Sequence, residues 1–273
     1  MGQVFTWDSI QAGRVPKLES FHRVAADLRE TLSNESSVVS ALLFGSVVRG
    51  DFNIRSDVDC IVLYETGGQN SAVGAMHHVD RMAHALHVPI NYTPCDTALA
   101  RTRLHVVGTS FVRHLQCAID AGGLIKGNLA DLLAPTVPVA QELESYISRK
   151  MYSLQAALAQ MASFDEKELA RFFRKALEAP MHIARKMLIY EGTLEGDSKQ
   201  DVRTRYRETM PTYLGEQFDY LLSVDSHYSL ELGLQLEIQD QEQYSDALVS
   251  LQSELPKVLE FLRANILRLN DAR

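Results

Sequence analysis

The sequence predicts an α+β protein in which a small mixed β-sheet domain is followed by an all-helical bundle. Two observations support this prediction. Short β-branched and aliphatic runs alternate with helical patterns in the first half, whereas apolar residues after Pro138 recur at helical spacing. A proline-containing linker at residues 132–138 separates the two patterns. We therefore place an α/β domain at residues 1–135 and a helical domain at residues 136–273.

The elements of the first domain can be assigned in chain order. Residues 16–32 carry one apolar stripe and predict a helix. Residues 38–44 form an apolar run typical of a buried strand, and residues 60–64 form a second one. Further elements are predicted at residues 71–86 (helix), 87–94 (strand), 110–121 (helix) and 124–127 (edge strand).

The second domain is predicted to be an up-and-down bundle of helices. A stripe of period 3.6 runs through residues 139–162. A capping-box pattern from Ser163 to Glu166 begins the next helix, which we expect Pro180 to break or restart. Three further helices are predicted at residues 213–223, 241–251 and 257–269.

The charge distribution argues against a nucleic-acid-binding protein. The net charge is −8: residues 1–135 have 11 Lys and Arg against 13 Asp and Glu, residues 136–207 have 12 against 10, and residues 208–273 have 4 against 12. Long nucleic acid is bound by basic surfaces, so an acidic chain is a poor candidate for it.

The composition also indicates the cellular compartment of the protein. No apolar run approaches the ~20 residues that span a bilayer, and the first residues lack the apolar core of a signal peptide. The three cysteines form no CxxC pair, which is typical of a reducing compartment. We therefore expect a cytoplasmic protein without a membrane partner; the sequence leaves its oligomeric state open.

Two aspartates at the head of the second strand predict a metal site. Asp57 and Asp59 precede and begin the apolar run 60–64. Residues i and i+2 of a strand share a face, so both carboxylates should point the same way and repel each other unless a cation lies between them. Mg²⁺ is suited to this position because it binds carboxylate and phosphate oxygens together.

The turn after the first strand predicts a phosphate site. Gly45 lets a ligand approach the backbone closely, and Ser46 offers both its amide N–H and its hydroxyl. A helix beginning at Ser46 adds further free N–H groups. Arg49 lies one turn later, where it can reach a phosphate or pair with Asp51.

These residues together resemble a known family. Gly45-Ser46 followed by Asp57-Val58-Asp59, within GSVVRGDFNIRSDVD, is similar to the signature of the DNA polymerase β-like nucleotidyltransferase superfamily, and in particular to its aminoglycoside-type and minimal branches. The resemblance is concentrated in residues 38–64. It implies that Gly45 and Ser46 hold the triphosphate of ATP or another NTP, and that Asp57 and Asp59 hold Mg²⁺.

The third strand departs from that family pattern. The resemblance implies a third carboxylate here, often the base that deprotonates the acceptor hydroxyl. Asn91 is the best-placed residue, with Pro89 as the alternative register, and neither is acidic. Asp96 lies just beyond this strand, in a predicted loop. It is the carboxylate that we expect to substitute for the missing one in catalysis. Asn cannot take a proton at neutral pH, so the identity of the base stays open.

The acidic C-terminal region leaves two interpretations for the acceptor. Most of its carboxylates are expected to form a solvated helical face. Alternatively, Glu208, Glu216 and Asp219, which we expect on or near a helix start, line an acceptor site for a cationic small molecule such as an amino-sugar.

The leading hypothesis is a Mg²⁺-dependent enzyme that transfers a nucleoside monophosphate, AMP from ATP, to a hydroxyl of a small molecule and releases pyrophosphate. The helical domain is expected to bind the acceptor or a partner. The alternatives are a catalytically weak nucleotide-binding regulatory module and an antitoxin-like protein that AMPylates other proteins. Fold alone does not distinguish among the three.

Overall fold

The chain forms two compact units. The structure, a computed structural model, describes residues 4–101, 108–130, 133–231 and 240–271. An α/β unit comprises residues 14–138, and a helical unit comprises residues 139–273 together with residues 4–13. The boundary after Pro138 lies close to the predicted one. Residues 4–13 depart from the predicted first domain and pack with the helices, because Trp7 is buried in the helical core.

The described residues form four strands and twelve α-helices. The strands are β1 (Val38–Phe44), β2 (Val58–Tyr64), β3 (Ile90–Asp96) and β4 (Leu124–Lys126). The helices are α1 (Trp7–Gln11), α2 (Leu18–Asn34), α3 (Ser46–Arg49), α4 (Gln69–Ala85), α5 (Thr97–Arg101), α6 (Thr109–Asp120), α7 (Val139–Gln160), α8 (Glu166–Tyr190), α9 (Lys199–Thr209), α10 (Thr212–Glu231), α11 (Gln241–Ser250) and α12 (Leu255–Asp271).

The α/β unit is built on one mixed sheet with the strand order β3-β2-β1-β4. β1 pairs antiparallel with β2 and β4, and β2 pairs parallel with β3. Helix α4 supplies the crossover that a parallel β2–β3 pair requires. The predicted α+β class is confirmed, with the short strand β4 at the edge of the sheet.

The side chains of β2 alternate between the two faces of this sheet. Cys60 and Val62 pack with α2 and α4 residues such as Val24 and Val79 on one face. Ile61 packs on the opposite face in the cluster that contains Leu115 of α6. By the strand period of two, Asp59 lies on the α6 face of the sheet.

The helical unit has its own apolar core, centred on α8. Buried residues from α7, α9, α10, α11 and α12 pack against it. Pro180 does not break α8, which runs continuously from Glu166 to Tyr190. The capping box is also shifted from the predicted one: Asp165, not Ser163, is the N-cap, and its partner is Glu168.

No helix in the described part of the chain is long and apolar enough to cross a membrane.

Candidate active site

Most of the predicted site residues of the α/β unit, but not Asp96, meet at one end of the sheet. β1 ends there at Phe44, which pairs with Asp59 near the start of β2. Asp59 pairs in turn with Asn91 near the start of β3. The antiparallel β1–β2 pair and the parallel β2–β3 pair therefore bring the end of one strand beside the beginnings of two others.

Gly45 allows the backbone to pass directly beside Asp59. Its φ of 81° and ψ of −160° lie in a region that is essentially restricted to glycine. A Cβ atom at this position would lie 2.4 Å from Oδ2 of Asp59. Glycine is thus required both by the backbone conformation and by the contact with the carboxylate.

Helix α3 begins at Ser46 directly after this glycine. It has four residues and is followed by Gly50, whose φ of 78° is left-handed. The first N–H groups of any helix lack acceptors within it, so the N–H groups of Ser46, Val47 and Val48 are available to a ligand or to solvent. The amide of Arg49 is the first that bonds backward, to the carbonyl of Gly45 at 3.2 Å.

Arg49 pairs with Asp51, one of the two roles considered for it. Its Nε lies 3.2 and 3.3 Å from the two carboxylate oxygens of Asp51, and Nη2 lies 3.2 Å from Oδ1. The positive charge nevertheless acts on the site, because Arg49 lowers the pKa of Asp59.

The electrostatics of the two aspartates agree with the predicted repulsion. Burial, and then the neighbouring Asp57, raise the pKa of Asp59 to about 6. The hydrogen bond from Asn91 and the charge of Arg49 act in the opposite direction. A cation at Asp57 and Asp59 would favour the ionised carboxylate, so the pair fits a divalent metal.

Asn91 occupies the third-strand position beside Asp59. Val58 pairs with Ile90, which selects the Asn91 register over the Pro89 alternative. The Asn91 amide Nδ2 donates a 2.9 Å hydrogen bond to Oδ1 of Asp59. The two oxygens of Asp59 are therefore distinguished: Oδ1 accepts from Asn91, and Oδ2 lies against Gly45.

The position of Asp96 disagrees with the catalytic role predicted for it. It ends β3, where it pairs with Tyr64, five residues beyond Asn91 and about 16 Å away at the usual strand rise. Its Oδ1 accepts hydrogen bonds from Thr66 Oγ1 at 3.0 Å and from the amides of Ala98 and Leu99 at 2.7 and 3.3 Å. Asp96 therefore caps the start of α5 at the opposite end of the sheet.

The three carboxylates predicted to bind the acceptor lie in the helical unit, and two of them are already paired. Asp219 bonds to Arg203 at 2.7 Å and to Arg207 at 3.0 Å. Glu208 bonds to Arg205 at 3.1 Å and lies near the end of α9, not near a helix start. Glu216 is exposed in the first turns of α10 and borders a shallow groove. The pairing of Asp219 and Glu208 weakens the case for a cationic acceptor.

The site offers two carboxylates to a metal. Within the described residues, no group of three or more His, Cys, Asp and Glu side chains is arranged to hold a metal ion. Mg²⁺ is commonly held by one or two protein carboxylates, with substrate phosphates and water completing its six ligands. Asp57 and Asp59 match this number of protein carboxylates.

Comparison with known families gives this arrangement a context. Residues 25–96 match the family model described as a nucleotidyltransferase domain. This segment is similar to nucleotidyltransferase domains. It covers most of α2 and the strands β1, β2 and β3, and so contains Gly45, Asp59 and Asn91. No curated protein matches the chain. The match supports nucleotidyl transfer in general.

The aromatic side chains next to the candidate site were not predicted from the sequence. Phe44, the sheet neighbour of Asp59, packs edge-on against Phe111 and His114 of α6, with ring centroids 5.8 and 5.7 Å away. No local pattern marked His114, because its contact depends on how α6 packs on the sheet.

Proposed function

We propose that this protein transfers a nucleoside monophosphate, AMP from ATP, to a hydroxyl group of a small molecule. The observation that carries the proposal is the proximity of Gly45 and Asp57 to Asp59, within the segment that matches a nucleotidyltransferase domain. The remaining residues of the site are assigned roles that follow from their chemistry.

In this proposal, Asp57 and Asp59 hold Mg²⁺. When bound, the metal supplies positive charge that offsets the negative charge of the phosphates during transfer. Asn91 orients Asp59 by donating to Oδ1, which leaves Oδ2 beside the glycine turn for the ligand side of the site. The hydrogen bond also favours the ionised form of Asp59, the form that binds a metal.

The turn between β1 and α3 binds the phosphates. The free N–H groups at the start of α3 and the hydroxyl of Ser46 are donors to phosphate oxygens. Because Gly45 has no side chain, the ligand can approach this backbone without meeting a Cβ atom. Arg49, held by Asp51, adds positive potential without leaving its ion pair.

The proton of the acceptor hydroxyl must go to a group other than the third-strand residue. Asn91 does not accept a proton at neutral pH, and Asp96 lies at the other end of β3. This same observation favours a second candidate function, a nucleotide-binding regulatory module with weak or no transferase activity. AMPylation of a protein shares the transfer chemistry and differs in its acceptor.

The test is release of pyrophosphate from ATP and Mg²⁺ with a panel of hydroxyl compounds and proteins. We expect release that depends on an acceptor and that falls about 100-fold or more in Asp59→Asn, as when one preorganised charged group is lost. Asp80→Asn, which removes the same charge from the exposed face of α4, is the matched control. Nucleotide binding without release under any condition favours the regulatory module.

A further inference from the structure

The helical unit contains a cluster of basic side chains around one tyrosine. The ammonium nitrogens of Lys150 on α7 and Lys186 on α8 each lie 5.6 Å from the ring centroid of Tyr146. The ring of His182 lies 6.0 Å from the same centroid. Two adjacent helices thus direct two lysines to one aromatic ring.

Three cationic side chains in this part of the helical unit form ion pairs with carboxylates. The pairs are Arg174 with Glu178 at 2.6 Å, Arg185 with Asp197 at 2.6 Å, and Lys186 with Glu142. Burial lowers the pKa of Lys186, and the hydrogen bond to Glu142 opposes that effect. These three cations are electrostatically compensated within the helical unit.

Lys150 differs from Lys186 in this respect. Its ammonium donates to the backbone carbonyl of Lys175 at 3.4 Å, and no carboxylate in the described part of the chain lies within the 4.0 Å of an ion pair. Burial lowers its pKa, Glu178 opposes that effect, and Lys175 and Arg149 add to it. Glu178 is itself engaged by Arg174. A half-buried ammonium without a counter-ion is unfavourable and is stabilised by an anion.

Two further cations flank Lys150. Arg149 precedes it on α7, and its Nε donates to the carbonyl of Ser145 at 3.2 Å. Lys175 is exposed on α8, and its own backbone carbonyl accepts the hydrogen bond from Lys150. Neither forms an ion pair with a carboxylate among the described residues. Two cations that form no ion pair among the described residues thus lie close enough to Lys150 to act on its charge, on an otherwise acidic protein.

We propose that Lys150, with Arg149 and Lys175 beside it, forms a binding site for a phosphate group on the helical unit. A phosphate carries up to two negative charges and several acceptor oxygens, which match ammonium and guanidinium donors. The phosphate comes either from the nucleotide or from a phosphorylated acceptor. This site goes beyond the proposed function, because phosphate binding at Lys150 does not require transferase activity.

Binding of phosphate compounds to the full chain tests this site without magnesium or turnover. Inorganic tripolyphosphate, ATP and glucose 6-phosphate are titrated in a calorimeter against the wild type, Lys150→Met and Lys167→Met. Lys167 is exposed on the first turn of α8, so its variant is a control with the same loss of charge. We expect Lys150→Met to weaken binding of at least one probe about tenfold or more, the effect of losing one charge-assisted hydrogen bond. Lys167→Met should bind like the wild type.

The three probes identify the source of the phosphate. Weaker binding of tripolyphosphate and ATP in Lys150→Met, with glucose 6-phosphate unaffected, assigns the site to the nucleotide. Weaker binding of glucose 6-phosphate alone assigns it to a phosphorylated acceptor. Equal affinities of wild type and Lys150→Met for all three probes, or no binding of any, would overturn the proposal.

Thermal unfolding shows whether the Lys150→Met variant is folded as stably as the wild type. Lys150→Met removes an uncompensated half-buried charge, so its thermal midpoint should be no lower than that of the wild type. Phosphate compounds should raise the midpoint of the wild type and Lys167→Met more than that of Lys150→Met. An equal rise in all three proteins would also count against the site. Absence of pyrophosphate release with this binding intact would contradict the transferase function alone.

Discussion

The amide of Asn91 lies 2.9 Å from Oδ1 of Asp59, on the neighbouring parallel strand. The group that faces this carboxylate is therefore a hydrogen-bond donor that cannot take a proton at neutral pH. It stabilises the ionised form of Asp59 against the burial and the neighbouring charge that raise its pKa. An aspartate in place of Asn91 would remove this hydrogen-bond donor and add a second negative charge beside Asp59, which would disfavour the ionised form of Asp59.

Asn91→Asp should destabilise the metal-free protein at pH 7. The new carboxylate would face Oδ1 of Asp59, where like charges repel. We expect the thermal midpoint to fall by about 2–4 °C, the shift for about 1 kcal/mol in a chain of this size. Mg²⁺ should restore it. Asn91→Ala, which removes the donor without adding a charge, is the control, and identical Mg²⁺ responses in both variants would contradict the assigned metal position.

Gly45→Ala should abolish nucleotide binding and lower the thermal midpoint. The new Cβ would lie 2.4 Å from Oδ2 of Asp59, in a backbone conformation that alanine rarely adopts. Gly50→Ala is the control: its φ of 78° is nearly the same, but its ψ of 8° is ordinary left-handed backbone and no atom lies within 4 Å. Calorimetry with ATP and Mg²⁺ should separate them, and equal binding by both variants would show that the contact with Asp59 is unimportant.

Asp59→Asn should stabilise the protein near pH 7 in the absence of metal. The carboxyl of Asp59 has a pKa of about 6 when folded, against an ordinary value of 3.8, so the folded state holds this proton more tightly. The wild type therefore loses stability as the pH rises from about 4 to about 6. The thermal midpoint of Asp59→Asn should exceed that of the wild type at pH 7, and the difference should disappear below pH 4. Thermal midpoints measured across this range check it, with Asp80→Asn as control; an advantage that grows toward low pH would contradict the sign.

Asp96→Ala should lower stability without affecting the site. Asp96 accepts bonds from Thr66 and from two amides at the start of α5, so we expect a loss of about 1 kcal/mol, typical of a helix cap. ATP binding with Mg²⁺ should match the wild type, because Asp96 lies at the far end of β3. Thr66→Val tests the same bond from the other side and should give part of the same loss. Weakened ATP binding in Asp96→Ala would restore its predicted catalytic role.

Local patterns predicted the strands and the strand–turn–strand segment that carries Gly45, Asp57 and Asp59. The strand at residues 38–44, the glycine after it and the paired aspartates are all within 22 residues, so their geometry follows from strand periodicity and one turn. The importance of the third strand came from the family resemblance, and the pairing of Asp59 with Asn91 decides between the two registers that the sequence left open. The match to a nucleotidyltransferase domain covers this same part of the chain.

Features set by long-range packing were beyond these patterns. β3 begins at Ile90 and not at His87, which brings Asp96 into the strand and removes it from the loop that would have carried it to the site. Asp219 is neutralised by two arginines from another helix, which no spacing within α10 reveals. Pro180 lies within α8 without ending it, because tertiary packing buries it in the core.

The packing of residues 4–13 with the helices makes the α/β unit an insertion within a discontinuous helical domain. The backbone carbonyl of Phe5 accepts the buried hydroxyl of Tyr244 at 2.6 Å, and the amide of Trp7 donates to Glu166 at 2.9 Å. A fragment that starts at Val139 would leave that hydroxyl without its acceptor and expose the apolar surface that covers Trp7. Expression of the helical unit alone therefore requires a circular permutation or a linker that keeps residues 4–13 attached to it.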